Sequence, residues 1–377
     1  MRRKTIRQYL RRCPTILREV LLHGRYHYTF DLMPMCAEAM SWRKRLNLLS
    51  AGLNLAYRRA RPWAWPIHMQ VELTNVCDLR CPVCPTGAGQ MRRPRAFMDM
   101  NLFRRLMDEA APRLLGVFLW AWGEPLLHPR FDEAVRIVRG HGAIPVLSTN
   151  GQALDDGDVA DRLCRCPPEY LIVAVDGLTD KTHGDYRTGA SLPSVLRGVR
   201  RLAEAKRRLG LSLPRLHMRF MAMKHNEHEL PQVRAFAAAN GFDVLTIRAL
   251  SIIDADESAH RRMVPSTPEY RAYQYGPRGR LRRRDFLCQH AFGFPTVLVD
   301  GTVVPCDQDS NAQQPYGRLE EGVRFADLWF GPRAAAIRRV IRGRRDRLSF
   351  CRQCPYADRL TNTCSVSYVD LAAAGGA

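Results

Sequence analysis

Apolar residues recur along this chain in two rhythms. From about residue 67, short and nearly continuous apolar runs alternate with stretches whose apolar positions return every three or four residues. These are the patterns of buried strands and of amphipathic helices. Ile67–Leu73, Leu115–Trp120, Ile144–Leu147, Tyr170–Val175, Leu216–Met221 and Val244–Ala249 read as strands. Leu102–Ala111, Phe131–Arg139, the segment around Asp158–Cys164, Leu192–Leu209 and Glu229–Ala239 read as helices. Repeated strand-then-helix units predict an α/β fold, a parallel sheet covered by helices. Six units are too few for a closed eight-fold barrel, and periodicity does not separate an open barrel from a doubly wound sheet.

Residues 1–66 carry mixed helical spacing instead, through Leu10, Ile16, Val20, Leu46, Leu49, Leu53 and Tyr57. Pro62 and Pro66 close this helical N-terminal extension ahead of the first strand. Its expected roles are packing on the core, contact with a membrane surface, or reception of a partner. The remaining boundaries are a core over 67–255, a linker over 256–287, a C-terminal module over 288–366 and a tail over 367–377.

Charge changes this picture little. The formal net charge is +21, carried mostly by arginines scattered over the whole chain. Local clusters such as Met1–Arg12 lack interleaved aromatics for base stacking, so a nucleic-acid partner is not expected. Cysteine changes it more. Twelve Cys, with no N-terminal apolar segment of signal-peptide type and no run long enough to span a bilayer, imply a reducing, cytoplasmic setting. There, clustered Cys act as metal ligands. Cys13, Cys36, Cys164 and Cys166 lack ligand spacing and read as packed thiols.

Val71–Gly87 (VELTNVCDLRCPVCPTG) places Cys77, Cys81 and Cys84 as C-x3-C-x2-C directly after the first strand. Three clustered thiolates select an Fe–S cluster, zinc or Cu(I), and three rather than four leave one position open to a small molecule. Beyond the second strand lies Trp122-Gly123-Glu124-Pro125, beyond the third Ser148-Thr149-Asn150-Gly151, and beyond the fourth Asp176-Gly177 followed by Tyr186-Arg187. All fall just after strands, where sheets of this kind keep their chemistry.

With these motifs the chain resembles the radical S-adenosylmethionine (SAM) enzymes. The resemblance covers roughly residues 67–255 and implies a partial (β/α)6 barrel. It also implies a 4Fe–4S cluster on Cys77, Cys81 and Cys84, with SAM chelating the open iron. Gly123, Glu124, Ser148, Asn150, Asp176 and Arg187 would contact SAM, Arg187 through its carboxylate. Trp122 stands where many members have Gly, and Ala174 where many have Ser. Asn226, Arg219 and Arg248 are weaker candidates for the same site.

A second set runs Cys288, Cys306, Cys351, Cys354 and Cys364, with a hairpin signal at Asp300-Gly301. It resembles the twitch form of the SPASM domain. That resemblance implies one auxiliary 4Fe–4S cluster on Cys288, Cys306, Cys351 and Cys354, with Cys364 as a possible substitute within the last pair. Leu360 occupies a position where the full SPASM pattern has Cys. A zinc ribbon is the other reading of this set. Asp307, beside Cys306, is the candidate for accepting a substrate proton, or else an exposed residue flanking a hairpin.

The resemblance implies reductive SAM cleavage, hydrogen abstraction and oxidative modification of a small metabolite of sugar or aminocyclitol type. The implied electron donor is of flavodoxin or ferredoxin type. Maturation of a peptide or protein side chain is the alternative. A non-catalytic zinc- or nucleic-acid-binding protein is the reading from another class, against which the ordered motifs between the two Cys sets speak.

Overall fold

The computed structural model describes residues 14–251, 262–277, 279–281, 286–352, 354–358 and 363–372. Cys13, Leu360, the basic cluster at Met1–Arg12 and part of the linker lie outside them. The first described elements correct the all-helical reading of residues 1–66. A π-helical turn, Glu19–His23, leads into an antiparallel hairpin, β1 (Tyr26–Phe30) and β2 (Met33–Ala37), and only then into helix α1 (Trp42–Tyr57). The hairpin follows from side chains that alternate between cover and exposure along both strands. No glycine marks its turn. Asp31 and Leu32 take φ of 50° and 68°, values that side chains other than Gly and Asn rarely adopt.

The strand–helix alternation from residue 67 onward is present. Strands β3 (His68–Val71), β4 (Gly116–Phe118), β5 (Ile144–Thr149), β6 (Tyr170–Ala174), β7 (Arg215–Ala222) and β8 (Val244–Ala249) pair in parallel in that order. Between them run α2 (Met100–Ala110), α3 (Phe131–Gly140), α4 (Gly157–Arg165), α5 (Asp180–Tyr186), α6 (Leu192–Arg208) and α7 (Leu230–Ala239). A short ribbon, β9 (Gln274–Gly276) and β10 (Gly279–Leu281), stands apart.

The C-terminal module extends the same sheet. Hairpin β11 (Thr296–Val297) and β12 (Thr302–Val304) sits where Asp300-Gly301 signals it, with β11 parallel to β3. Beyond β13 (Gly317–Arg318), β14 (Ser365–Asp370) runs antiparallel to β8. The segment read as a tail therefore carries most of the last strand of a ten-stranded sheet.

Two packed layers divide the strand residues by parity. Met69, Val71, Val117, Leu147, Leu171, Met218 and Leu245 face the covering helices. Phe118, Val146, Ile172 and Val244 face inward, against Met33 and Met35 of the hairpin and beside Phe30. The N-terminal hairpin thus fills the bore of an open, partial (β/α)6 barrel. Glu72, at the end of β3, is fully buried. Its two oxygens accept from Arg93 Nη1 and Nη2 at 2.7 and 2.8 Å, and one also accepts from Val299 N at 2.9 Å.

Removing the cation leaves that carboxylate uncompensated. Arg93→Met is expected to lower stability by about 3–5 kcal/mol, read as a fall in unfolding midpoint. Arg95→Met, at an exposed position nearby, is expected to change it little.

Candidate active site

The loop after β3 carries the first cysteine set, and backbone contacts fix it from two sides. Gly123 packs so closely on it that a Cβ there would lie 2.1 Å from Thr74 O. Glu124 N donates to Val76 O at 2.8 Å, and Thr86 Oγ1 donates to Trp122 O. On the other side Arg80 N donates to Thr188 O at 2.9 Å. Gly87 is equally constrained, since a Cβ would stand 2.5 Å from Cys81 N.

Cys77, Cys81 and Cys84 line a cavity of about 240 Å³ together with Gly123, Glu124, Ser148, Asn150 and Arg187. Arg219 and Arg248 line it too, so the structure brings together every residue singled out for the core site except Asp176 and Asn226, which sit one layer back. Asp176 Oδ2 accepts from Arg187 Nε at 2.6 Å and Oδ1 from Met221 N at 2.7 Å. Held this way, Arg187 reaches Cys81 Sγ with Nη1 at 3.9 Å. Asn226, fully buried, donates to Asp176 O and Met221 O and is a brace rather than a wall residue.

The carboxylate of Glu124 is likewise occupied within the chain. It accepts from Leu126 N, Thr149 Oγ1 and Asn150 N at 3.0, 2.7 and 2.6 Å. Burial raises its pKa to about 7 in spite of these donors. Asn150, fixed by that bond, donates from Nδ2 to Asp78 Oδ1 at 2.6 Å and approaches Cys77 Sγ at 3.9 Å.

The second set closes on a separate chamber. Cys288, Cys306, Cys351 and Cys354 line it, with Phe286, Ala291, Pro305, Ile341 and Phe350 making its wall largely apolar. Cys364 is fully buried but is not part of that wall. Burial pushes the Cys77 and Cys354 thiols up to about 12, and it raises Cys81, Cys288, Cys306 and Cys351 as well. Thiols so buried become thiolates only beside a strong counter-charge, which iron supplies. Among the described residues no three Cys, His, Asp or Glu side chains converge on a single-ion position.

Asp307 lies where spaces meet. It lines the cavity of the first set and an adjoining chamber of about 560 Å³, as do Trp120, Arg248 and Tyr356. Its backbone oxygen accepts from Trp122 Nε1 at 2.8 Å, which joins the two cysteine modules at this point. Gln308 and Tyr356 line both the first cavity and the second cysteine chamber.

The larger chamber is walled partly by the N-terminal hairpin, through Tyr28, Phe30 and Asp31. Asp31 Oδ2 accepts from Arg219 Nη2 at 3.2 Å and Arg248 Nη1 at 2.9 Å, and Oδ1 accepts from Thr363 Oγ1. Burial alone would raise this carboxyl, but the two guanidiniums outweigh it and hold the pKa at about 2. Asp31, Trp120, Gln308 and Tyr356 carry no local motif. Only the period-two run beginning at Tyr26 hints at the element that presents Asp31.

Comparison with known proteins agrees with this geometry. The family model of the radical SAM superfamily matches residues 71–237, and that of an iron–sulfur cluster-binding SPASM domain matches 288–355. The tungsten-containing aldehyde ferredoxin oxidoreductase cofactor-modifying protein of Pyrococcus furiosus is 26% identical over 73% of this chain and 84% of its own length. A PqqA peptide cyclase of Xanthomonas oryzae pv. oryzae is 27% identical over 70% and 74%. Among solved structures, Streptococcus suis SuiB with its precursor peptide SuiA superposes with a TM-score of 0.58 at 12% identity, covering 93% of this chain and 83% of SuiB.

Glu124 makes a pH signature. Its folded pKa of about 7 stands above the unfolded value of 4.5. The stability it contributes is therefore complete below about pH 4.5 and is lost as pH rises through about 7. Between pH 6 and 8 the SAM-free protein should lose about 1 kcal/mol relative to its Glu124→Gln variant. Parallel unfolding curves at the two pH values check this.

Proposed function

We propose that this chain, whose residues 71–237 match the model of the radical SAM superfamily and whose residues 288–355 match that of a SPASM iron–sulfur domain, is an oxidoreductase converting a carbinol of a small, hydroxyl-rich metabolite to a carbonyl. The observation that carries this reading is that the Cys77/Cys81/Cys84 cavity adjoins the 560 Å³ chamber, the two sharing Trp120, Arg248, Asp307 and Tyr356 as lining. A chamber of that size suits a small-molecule ligand. His68, Gln70, Asp31, Gln289 and His290 offer hydrogen-bonding groups to hydroxyls, while Trp120, Phe30 and Phe294 offer ring faces to the C–H side of a sugar-like ring.

A 4Fe–4S cluster held by Cys77, Cys81 and Cys84 with SAM supplies methionine and a hydrogen-abstracting 5′-deoxyadenosyl radical, and one held by Cys288, Cys306, Cys351 and Cys354 supplies an acceptor for the second electron. The chain's own residues divide the remaining work. Arg187, aimed by Asp176, pairs with the SAM carboxylate through its guanidinium. Gly123 gives the SAM ammonium close access to backbone, and Ser148 and Asn150 present hydroxyl and amide groups to the cofactor. Glu124 positions Asn150 rather than touching the cofactor itself. Asp307, at the junction, takes the hydroxyl proton of the substrate. The carbinol thus loses one hydrogen atom, one proton and one electron, and gains a C=O bond. A flavodoxin- or ferredoxin-type donor delivers the initiating electron.

Side-chain maturation of a peptide is the second reading. It is supported by the peptide cyclases among the relatives and by the precursor peptide bound to SuiB.

Anaerobic turnover of the iron-loaded protein with SAM separates them. Stimulation of 5′-deoxyadenosine formation by aminocyclitols or sugars is expected. Stimulation by peptides alone would replace the first reading with the second, and no SAM cleavage at full iron loading would overturn both. Asp307→Asn is expected to keep 5′-deoxyadenosine formation while cutting oxidised product about 10²-fold or more. Asp176→Asn is expected to weaken SAM binding about tenfold or more at unchanged iron content, the loss of one charge-assisted hydrogen bond at Arg187.

A further inference from the structure

Helix α1 is amphipathic in the wrong sense for a helix covered only on its inner side. Its inward face carries Lys44, Asn47 and Asn54 alongside Leu48 and Ala51, all buried. Their donors are matched one by one: Lys44 Nζ donates to Gly142 O, Asn47 Nδ2 to Arg113 O at 3.1 Å, and Asn54 Nδ2 to Phe292 O at 3.2 Å. Its outward face is Trp42, Leu46, Leu53 and Tyr57, with exposures of 60, 58, 55 and 67%. The spacing of i, i+4, i+11 and i+15 puts all four on one stripe. Trp63, 54% exposed, continues the stripe in ring contact with Tyr57. Scattered exposed leucines are ordinary, but a contiguous apolar ridge marks a contact surface.

Charge identifies the partner. The first 66 residues hold 14 Arg and Lys against three Asp and Glu, a net +11 out of the chain's +21. One of the three acids, Asp31, is turned into the barrel and paired there. Around the ridge stand Arg43, Arg59 and Arg61, all exposed, with Arg45 over the Trp42 ring and Arg59 over the Trp63 ring. Aromatic rings at both ends, leucines between them and arginines alongside are the composition of a helix that lies in a lipid headgroup layer. Among the described residues no helix is long and apolar enough to cross a bilayer.

We propose that the outward face of α1, extended by Trp63, docks the enzyme on an anionic lipid surface. Trp42, Leu46, Leu53, Tyr57 and Trp63 enter the headgroup boundary, and Arg43, Arg59 and Arg61 meet the lipid phosphates. None of the five ridge residues lines a cavity described above, so this docking stands whether the substrate is a metabolite or a peptide.

The test is flotation of the full-length, iron-loaded protein with vesicles of phosphatidylcholine alone or mixed with phosphatidylglycerol. Binding to the mixed vesicles only, weakening as salt rises, is expected. Leu46→Gln/Leu53→Gln should lower the bound fraction about tenfold or more with the unfolding midpoint and SAM cleavage unchanged. Arg43→Gln/Arg59→Gln/Arg61→Gln should lower it similarly. Absence of binding to mixed vesicles overturns the proposal. So does binding that responds to the arginine variant but not to the leucine one, which is non-specific attraction. Self-association abolished by the leucine variant, seen by sedimentation velocity, also overturns it by assigning the ridge to a second copy of the chain.

Discussion

A carboxylate without access to water decides how the parts of this protein are held. Glu72 ends the first strand of the barrel, and its partners come from two other places: Arg93, beyond the cysteine loop, and Val299, in the C-terminal hairpin. A charge in that position is tolerable only with its cation and donors in place, so the three segments are ordered together or not at all. Thr296 adds a second bond across the same seam, donating to Gln70 at 3.1 Å. The auxiliary module is therefore an extension of the barrel's own sheet. The distance between the two cysteine sets is set by rigid pairing of β11 with β3.

The same economy governs the site. Glu124 and Asp176 are the most conspicuous acids of the sequence motifs, yet each spends its oxygens on the chain. One fixes the turn at Thr149 and Asn150; the other aims Arg187. A side chain held by a buried carboxylate keeps its geometry before a ligand arrives, which lowers the ordering cost at binding. Amide, hydroxyl, thiol and guanidinium groups face the cavity. The carboxylates of Glu124, on the wall, and Asp176, behind it, serve as fixed anchors. Asp307 differs from both, an acid on the wall whose side chain accepts, among the described residues, from Gln308 at 3.4 Å.

How much of this was legible in the sequence follows from the range of the interactions. The six parallel strands were legible because burial on both faces leaves continuous apolar runs, and Cys77, Cys81 and Cys84 because a three-ligand loop is local. The hairpin β1–β2 was not. Its turn uses Asp31 and Leu32 in a conformation that sequence rules reserve for Gly or Asn, and that turn is anchored by Arg219 and Arg248, nearly two hundred residues or more downstream. Strand β14 was missed for a similar reason: Ser365–Asp370 is short and mixed in polarity, and it pairs with β8 through backbone groups. Cys364 fits a ligand spacing in sequence yet lies outside the chamber wall, because spacing does not state which way a loop turns.

The N-terminal extension connects these points. Its hairpin fills the bore and sets Asp31 between two arginines of the cavity wall, while the helix that follows is tied to the barrel and the auxiliary module by Lys44, Asn47 and Asn54. Polar anchors replace part of the apolar contact that a covering helix ordinarily makes, which leaves the leucines and rings of α1 free to face outward. A segment without any recognisable motif thus forms part of the wall of the proposed substrate chamber and also carries an exposed apolar ridge. The ridge and Asp31 therefore belong to one continuous stretch of chain, which contributes to the surface at one point and to the chamber wall at another.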